Sequence, residues 1–244
     1  MGVFKVPSVV RSDSDMDDPF STFTLAAAVT SLESVAGAAP HADALEFRMD
    51  RAERPLAALD GYRGQLPIIA TNRAAWEGGD AAEAGRLELL ARAIDHEAVI
   101  AIDVELESIV DGSAIEPLEA AAAADVAVIA STHDFSGTPS EDTLRDRLET
   151  AADRGDVGKL AVTATSPRDV LDLLSATDTV HRNGGRVATM AMGAIGSHSR
   201  VVAPIYGSRI GYAPIDPAEA TAPGQLDLAT MRAMVDRLLE ASAT

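Results

Sequence analysis

From residue 24 onward, short apolar runs alternate with stretches in which apolar residues recur at spacings of three and four, the pattern of strands followed by amphipathic helices. Eight runs read as strands: TLAAAVT (24–30), ALEFRM (44–49), PIIATN (67–72), AVIAIDVEL (98–106), VAVIAST (126–132), KLAVTAT (159–165), RVATMAM (186–192) and RIGYAP (209–214). The clearest helices are DAAEAGRLELLARAID (80–95), SEDTLRDRLETAADRG (140–155) and LDLATMRAMVDRLLEAS (226–242). In the second of these, Ser140 stands where the first turn needs a cap, acidic residues follow it, and Gly155 stands where a helix would stop. Strands alternating with helices imply an α/β protein with a parallel sheet. Eight such units in about 220 residues predict a (β/α)8 barrel, the TIM barrel, whose usual size is about 250 residues. An open doubly wound sheet is the alternative, but the GxGxxG phosphate cradle after the first strand is missing. Residues 1–20 form a polar leading segment, and the predicted barrel domain spans 21–244.

A barrel gathers functional groups at the C-terminal ends of its strands. Glu46 and Arg48 lie near the end of the second run, Arg73 and Glu77 just after the third, and Asp103 and Glu105 late in the fourth. His133 follows the fifth, and Ser199 and Arg200 follow the seventh. Singly, each is ordinary surface composition; together they share one edge.

The sixth run adds the most telling residue. The chain has 20 basic side chains, and only two of them, Lys5 and Lys159, are lysines. Period-two alternation puts Lys159, Ala161, Thr163 and Thr165 on one face and Leu160, Val162 and Ala164 on the other, so the branched residues would pack on helices and the lysine would point into the barrel. An enclosed amine near other cations has a lowered pKa and can attack a carbonyl to form an imine, which arginine cannot do. A strand-end lysine whose ammonium reaches out to solvent is the plainer alternative. Lys159 opens its run, so reaching the C-terminal face requires its side chain to extend along the barrel axis. His133 in STHDF is the candidate base, with Glu77 available to hold the imidazole. His41, His96 and His181 read as surface or capping residues, whereas His198 in GAIGSHSR stays open. No metal is expected, because no histidines are paired at ligand spacing.

Charge narrows the partners. With 38 acidic against 20 basic residues, the net charge of −18 argues against nucleic acid or an anionic membrane. Eighteen arginines to two lysines, with few aromatics, resemble the composition of proteins from salt-loving archaea. Against that acidic background, Arg48, Arg73, Lys159 and Arg200 at one rim point to an anionic small-molecule ligand. TAPGQ (221–225) has the make-up of a loop that could close over it. The absence of cysteine excludes thiol chemistry and disulfides. No leader pattern and no apolar run near the ~18 residues of a membrane span are present, so a cytoplasmic protein is expected.

The motifs LEFRMD (45–50), NRAAWEGGD (72–80), STHDF (131–135), GKLAVTA (158–164), MGAIGSHSR (192–200), YGS (206–208) and TAPGQ (221–225), in this order, resemble those of the type I 3-dehydroquinate dehydratases, from about residue 24 to the end. The resemblance implies a (β/α)8 barrel that dehydrates 3-dehydroquinate to 3-dehydroshikimate on the shikimate route to aromatic amino acids, without a cofactor and as a homodimer. It also implies that Lys159 forms a Schiff base with the C3 ketone, while His133 removes a C2 proton and protonates the departing C1 hydroxyl. Glu77 would pair with His133, and Arg200 would bind the substrate carboxylate. Glu46, Arg48 and Arg73 would orient ring hydroxyls, and Thr221 and Gln225 would reach the substrate from the closing loop. Thr221 stands where many members have serine, and Tyr212 where phenylalanine is common. Competing readings are another imine-forming barrel such as a class I aldolase or transaldolase, a phosphate-handling barrel using GSHSR and GSRIG, and a non-catalytic barrel that binds a small acid.

Overall fold

Each apolar run becomes a strand buried on both faces, as parallel strands flanked by helices must be. The computed structural model describes residues 18–33, 35–216, 218 and 224–242. Its strands are β1 (Thr24–Val29), β2 (Ala44–Arg48), β3 (Ile68–Thr71), β4 (Val99–Glu105), β5 (Ala127–Asp134), β6 (Val157–Thr163), β7 (Val187–Met192) and β8 (Ile210–Pro214). All pair in parallel in the order β7-β6-β5-β4-β3-β2-β1-β8. Eight parallel strands alternating with helices in a nearly closed barrel are the (β/α)8 architecture that the sequence predicts. The joint between β7 and β8 is different from the other seven. There, Val187 and Ser208 form a single bridge at the bottom of the barrel, Arg209 N donates to Val187 O at 2.7 Å, and Ser208 Oγ accepts from Thr189 N at 3.0 Å.

The helices are α1 (Pro55–Gly61), α2 (Arg86–Ala93), α3 (Leu106–Val110), α4 (Ile115–Ala124), α5 (Glu141–Ala152), α6 (Pro167–Arg182), α7 (Ser199–Val202) and α8 (Leu228–Ser242). Ser140 caps α5 by accepting from Thr143 N, and Gly155 N closes its end by donating to Ala151 O. The helix predicted over 80–95 begins only at Arg86. Gly85 before it is in the left-handed region (φ 79°), and residues 80–85 are drawn aside by a bridge between Ala81 and Ala74. The best-capped helix is α6, where Ser166 and Asp169 form a reciprocal capping box after the strand that carries Lys159. No helix among the described residues is long and apolar enough to cross a membrane.

Outward-facing strand residues pack on the helices. Leu160, Val162 and Ala164 meet Leu144, Leu148, Val170 and Leu173, as the alternation in β6 predicts. The inward set is small at the bottom of the barrel, with Ala26, Ala44, Ala101, Ala127 and Ala188 around the fully buried Phe20. Phe20 is the last residue of the segment that the sequence marks as polar, so that segment contributes an aromatic side chain to the barrel interior.

Candidate active site

Higher in the barrel the inward residues turn from apolar to charged. Ala44 is followed on its face by Glu46 and Arg48, Ala101 by Asp103 and Glu105, and Val157 by Lys159. Of the residues singled out by sequence, Glu46, Arg48, Arg73, Glu77, His133, Lys159, Arg200 and Gln225 line one cavity at the C-terminal mouth. Thr221 lies outside the described residues. His198 is exposed at the start of α7 and is not among the residues lining that cavity.

Strand stagger corrects the difficulty that Lys159 posed. β6 begins at Val157, two residues before the run read from sequence, and the lysine is its third residue. In register, Lys159 is opposite Ser131, which is opposite Glu105, the final residue of β4. Strands in a barrel are sheared past one another, so the start of β6 is level with the end of β4. Lys159 therefore opens into the cavity without climbing the barrel axis. The same stagger keeps His133 inside β5, which runs to Asp134, rather than after it.

Lys159 is 4% exposed. Its Nζ donates to Asp103 Oδ2 at 2.8 Å, lies 3.6 Å from Glu46 Oε1 and sits 4.0 Å from the centre of the Tyr212 ring. The charged groups in direct contact with it are thus carboxylates, not the cations that its rim position suggests. Arg73 is also more enclosed than expected. Its Nη2 donates to Asp103 Oδ1 at 2.6 Å, and its Nη1 donates to Glu105 Oε1 at 3.1 Å and Ser131 Oγ at 2.7 Å. Behind it, the buried Arg86 donates to the other oxygen of Glu105 at 2.5 Å and to Ser108 Oγ at 3.1 Å. A chain of alternating charge, Arg86, Glu105, Arg73, Asp103 and Lys159, runs from the helix layer to the cavity.

This arrangement sets the charge states. Burial opposes ionisation of Asp103, but Arg73 and Lys159 hold its carboxyl well below the usual carboxylate range. Glu77 goes the other way. Burial, with Glu105 and Asp103 close by, raises its carboxyl to about 7 against the pull of Arg73. Its Oε2 is 2.7 Å from His133 Nδ1. Burial and the nearby cations Arg73 and Lys159 push the His133 imidazole well below its ordinary value, so the ring is neutral at neutral pH. When Glu77 is ionised it accepts Nδ1–H from the neutral ring, and the lone pair of Nε2 is left as a base. The ring is nearly parallel to Phe135, with centres 6.1 Å apart and planes 10° off.

The remaining cations differ in their satisfaction. Arg48 lays its fork on Asp50 at 2.8 and 2.7 Å. Arg200, carried by α7, is 4% exposed, and its Nε and Nη2 are buried without partners among the described residues. Burial alone drags its guanidinium down to about 10, so it stays charged. Gln225 is brought to the cavity by Gly224, which is left-handed (φ 77°) and packs so tightly on the backbone of Gly193 that a side chain there would overlap it. Asp103 and Ser131 are participants to which sequence reasoning assigned no role. Two carboxylates at successive inward positions of the otherwise apolar AVIAIDVEL are the signal that marks Asp103 and, with it, Glu105. Among the described residues, no group of three or more acidic, histidine or cysteine side chains has metal-ligating geometry.

A family model described as "Type I 3-dehydroquinase" matches residues 22–241. The chain belongs to the type I 3-dehydroquinase family. A 3-dehydroquinate dehydratase of Haloarcula marismortui is 54% identical over 223 residues, covering 90% of this chain and 97% of that one. Its counterpart in Haloquadratum walsbyi is 49% identical, covering 90% and 94%. Both come from halophilic archaea, in keeping with the acidic, lysine-poor composition. Among solved structures, the 3-dehydroquinate dehydratase of Geobacillus kaustophilus superposes with a TM-score of 0.82 at 29% identity, covering 91% of this chain and 93% of that one. That of Aquifex aeolicus gives 0.77 at 28% identity, covering 88% and 98%. As a type I 3-dehydroquinase, the protein is an enzyme of the shikimate pathway that dehydrates 3-dehydroquinate.

Proposed function

We propose that dehydration proceeds through an imine on Lys159, with His133 as the acid and base. The observation that carries this reading is the buried amine of Lys159, which lines one cavity with a neutral imidazole and with a guanidinium whose Nε and Nη2 have no partner among the described residues. The ammonium and the C3 ketone give an iminium and one water, two nitrogen protons leaving with the carbonyl oxygen. The iminium draws electrons from C2, and His133 Nε2 takes the C2 proton. The enamine then expels the C1 hydroxyl, which leaves as water with the proton returned by His133. Hydrolysis of the iminium releases 3-dehydroshikimate and restores the amine, for a net loss of one water.

In this reading Arg200 holds the substrate carboxylate with the donors that have no partner among the described residues. Glu46 and Arg48 meet ring hydroxyls, and Thr221 and Gln225 approach from the closing loop. Arg73, whose donors are engaged by Asp103, Glu105 and Ser131, acts by fixing those carboxylates around Lys159. Borohydride added to a mixture of the protein and 3-dehydroquinate in molar salt is expected to leave a reduced adduct on the Lys159 peptide, read by mass spectrometry. Product formation without any adduct would remove the imine from the mechanism. A sample with neither product nor adduct would favour the aldolase or acid-binding readings.

Glu77 gives the reaction a pH dependence with a definite sign. Its carboxyl, raised to about 7, keeps its proton on the acid side and becomes a carboxylate as pH rises. The carboxylate accepts Nδ1–H from His133 and strengthens Nε2 as a base, so kcat should rise through pH ~7 and level off above it. In Glu77→Gln that limb should vanish and the plateau should fall about tenfold or more. A pH profile of kcat for both proteins checks this, and an unchanged limb in the variant would assign it to another group.

A further inference from the structure

Tyr212 on β8 is 3% exposed, and its phenol oxygen is buried without a hydrogen-bond partner among the described residues. Its ring lines the main cavity and lies under the Lys159 amine, 4.0 Å from Nζ to the ring centre. Burial, together with Asp103 and Glu46, pushes the phenol well above its ordinary value, so it keeps its proton and remains a donor. The ring also borders a space of about 10 Å³ shared with Arg200, Thr189 and Ser208, room for about one water. A hydroxyl satisfied in that space would belong to the fold; a hydroxyl satisfied by the ligand would belong to the chemistry.

We propose that the Tyr212 hydroxyl donates a hydrogen bond to the oxygen on the ligand carbon that Lys159 attacks, and so takes part in forming the imine. This rests on the imine reading above. As nitrogen bonds to carbon, the carbonyl oxygen gains negative charge; it then leaves as water with the two nitrogen protons. The phenol stabilises that oxygen and loses no proton of its own. The group is a donor on β8, three strands round the barrel from the β5 that carries His133, whose imidazole serves the C2 proton and the C1 hydroxyl. The described side chains in direct contact with the amine are Asp103, Glu46 and Tyr212, and of these the phenol is the one that carries a hydroxyl donor.

Tyr212→Phe separates the two possibilities, because it keeps the ring under Lys159 and removes only the hydroxyl. Three measurements are made on the full-length variant: the rate of borohydride-trapped adduct formation in single turnover, kcat/KM for 3-dehydroquinate, and the thermal midpoint without ligand. Adduct formation and kcat/KM are expected to fall together by about tenfold, the worth of one hydrogen bond made in the transition state. The midpoint is expected to hold or rise, because an unpaired buried donor has been removed. A normal trapping rate would overturn the proposal whatever happens to kcat, since the hydroxyl would then act after the imine or not at all. A lowered midpoint with normal kinetics would also overturn it and place the hydroxyl in the fold. Absence of any adduct in the unmodified protein would instead overturn the imine reading itself, a result distinguishable from a slow variant. Tyr212→Leu supplies a control: it also removes the ring, so its adduct formation should be slower than that of Tyr212→Phe.

Discussion

Lys159→Arg is expected to lower turnover of 3-dehydroquinate by at least about a thousandfold and to abolish the borohydride adduct, while the protein still folds. The reason lies in the two duties of this side chain. Its positive charge satisfies Asp103 at 2.8 Å and stands 3.6 Å from Glu46, both buried. Its nitrogen lone pair does the chemistry. Arginine keeps the charge and loses the nucleophile, at a packing cost of about 1–3 kcal/mol for the larger head group. Lys159→Ala removes both, and leaving the Asp103 carboxylate without this partner should cost about 3–5 kcal/mol of stability. Steady-state rates and thermal midpoints of the two variants separate the duties. More than a few per cent of normal activity in folded Lys159→Arg would show that the amine is not the nucleophile.

Arg200→Met should raise KM by roughly 100-fold or more, as expected for loss of a charged hydrogen-bonding partner in a buried site, and leave the free protein as stable or more so. Two of its three nitrogens are buried without a partner among the described residues, so those residues gain little from the guanidinium. Arg73→Met is the contrast. Arg73 is bonded to Asp103, Glu105 and Ser131, and its removal takes one cationic partner from each of two buried carboxylates, which keep only Lys159 and Arg86, so the variant should lose about 3–5 kcal/mol. KM and ligand-free thermal midpoints, measured at one fixed salt concentration, test the pair. A drop in stability for Arg200→Met comparable to that of Arg73→Met would mean that both arginines are structural.

These contrasts mark where the sequence was readable and where it was not. The alternation in KLAVTAT reveals which way Lys159 faces, because side-chain direction in a strand is a local property. Likewise Ser140 announces the start of α5 through its own hydroxyl. The partners of Lys159 are not local. Asp103 is 56 residues away and reaches it only because β4 and β6 lie one strand apart with a particular stagger. The same holds for Arg73, which sequence places among ligand-seeking cations and the fold surrounds with carboxylates. Local pattern also missed the late start of α2, because the interruption comes from one left-handed glycine and a bridge to Ala74. For His133 and Glu77, 56 residues apart, the barrel expectation already offers the carboxylate to the imidazole and the family resemblance pairs them; the structure brings them to 2.7 Å.

The joint between β7 and β8 bears on how the barrel responds to being filled. Seven joints are paired ladders, one of them (β3 with β4) with a register shift at Ile68–Ile69, and this one is stitched only at the bottom. Arg200 follows one lip, Tyr212 belongs to the other, and Lys159 stands one strand further round. Before the imine forms, an anion held by the first two groups with its carbonyl carbon against the third would span the open length like a keystone in an arch. Grip on the ligand and stiffness of the wall become one quantity, because free energy that favours the occupied closed form also opposes unfolding.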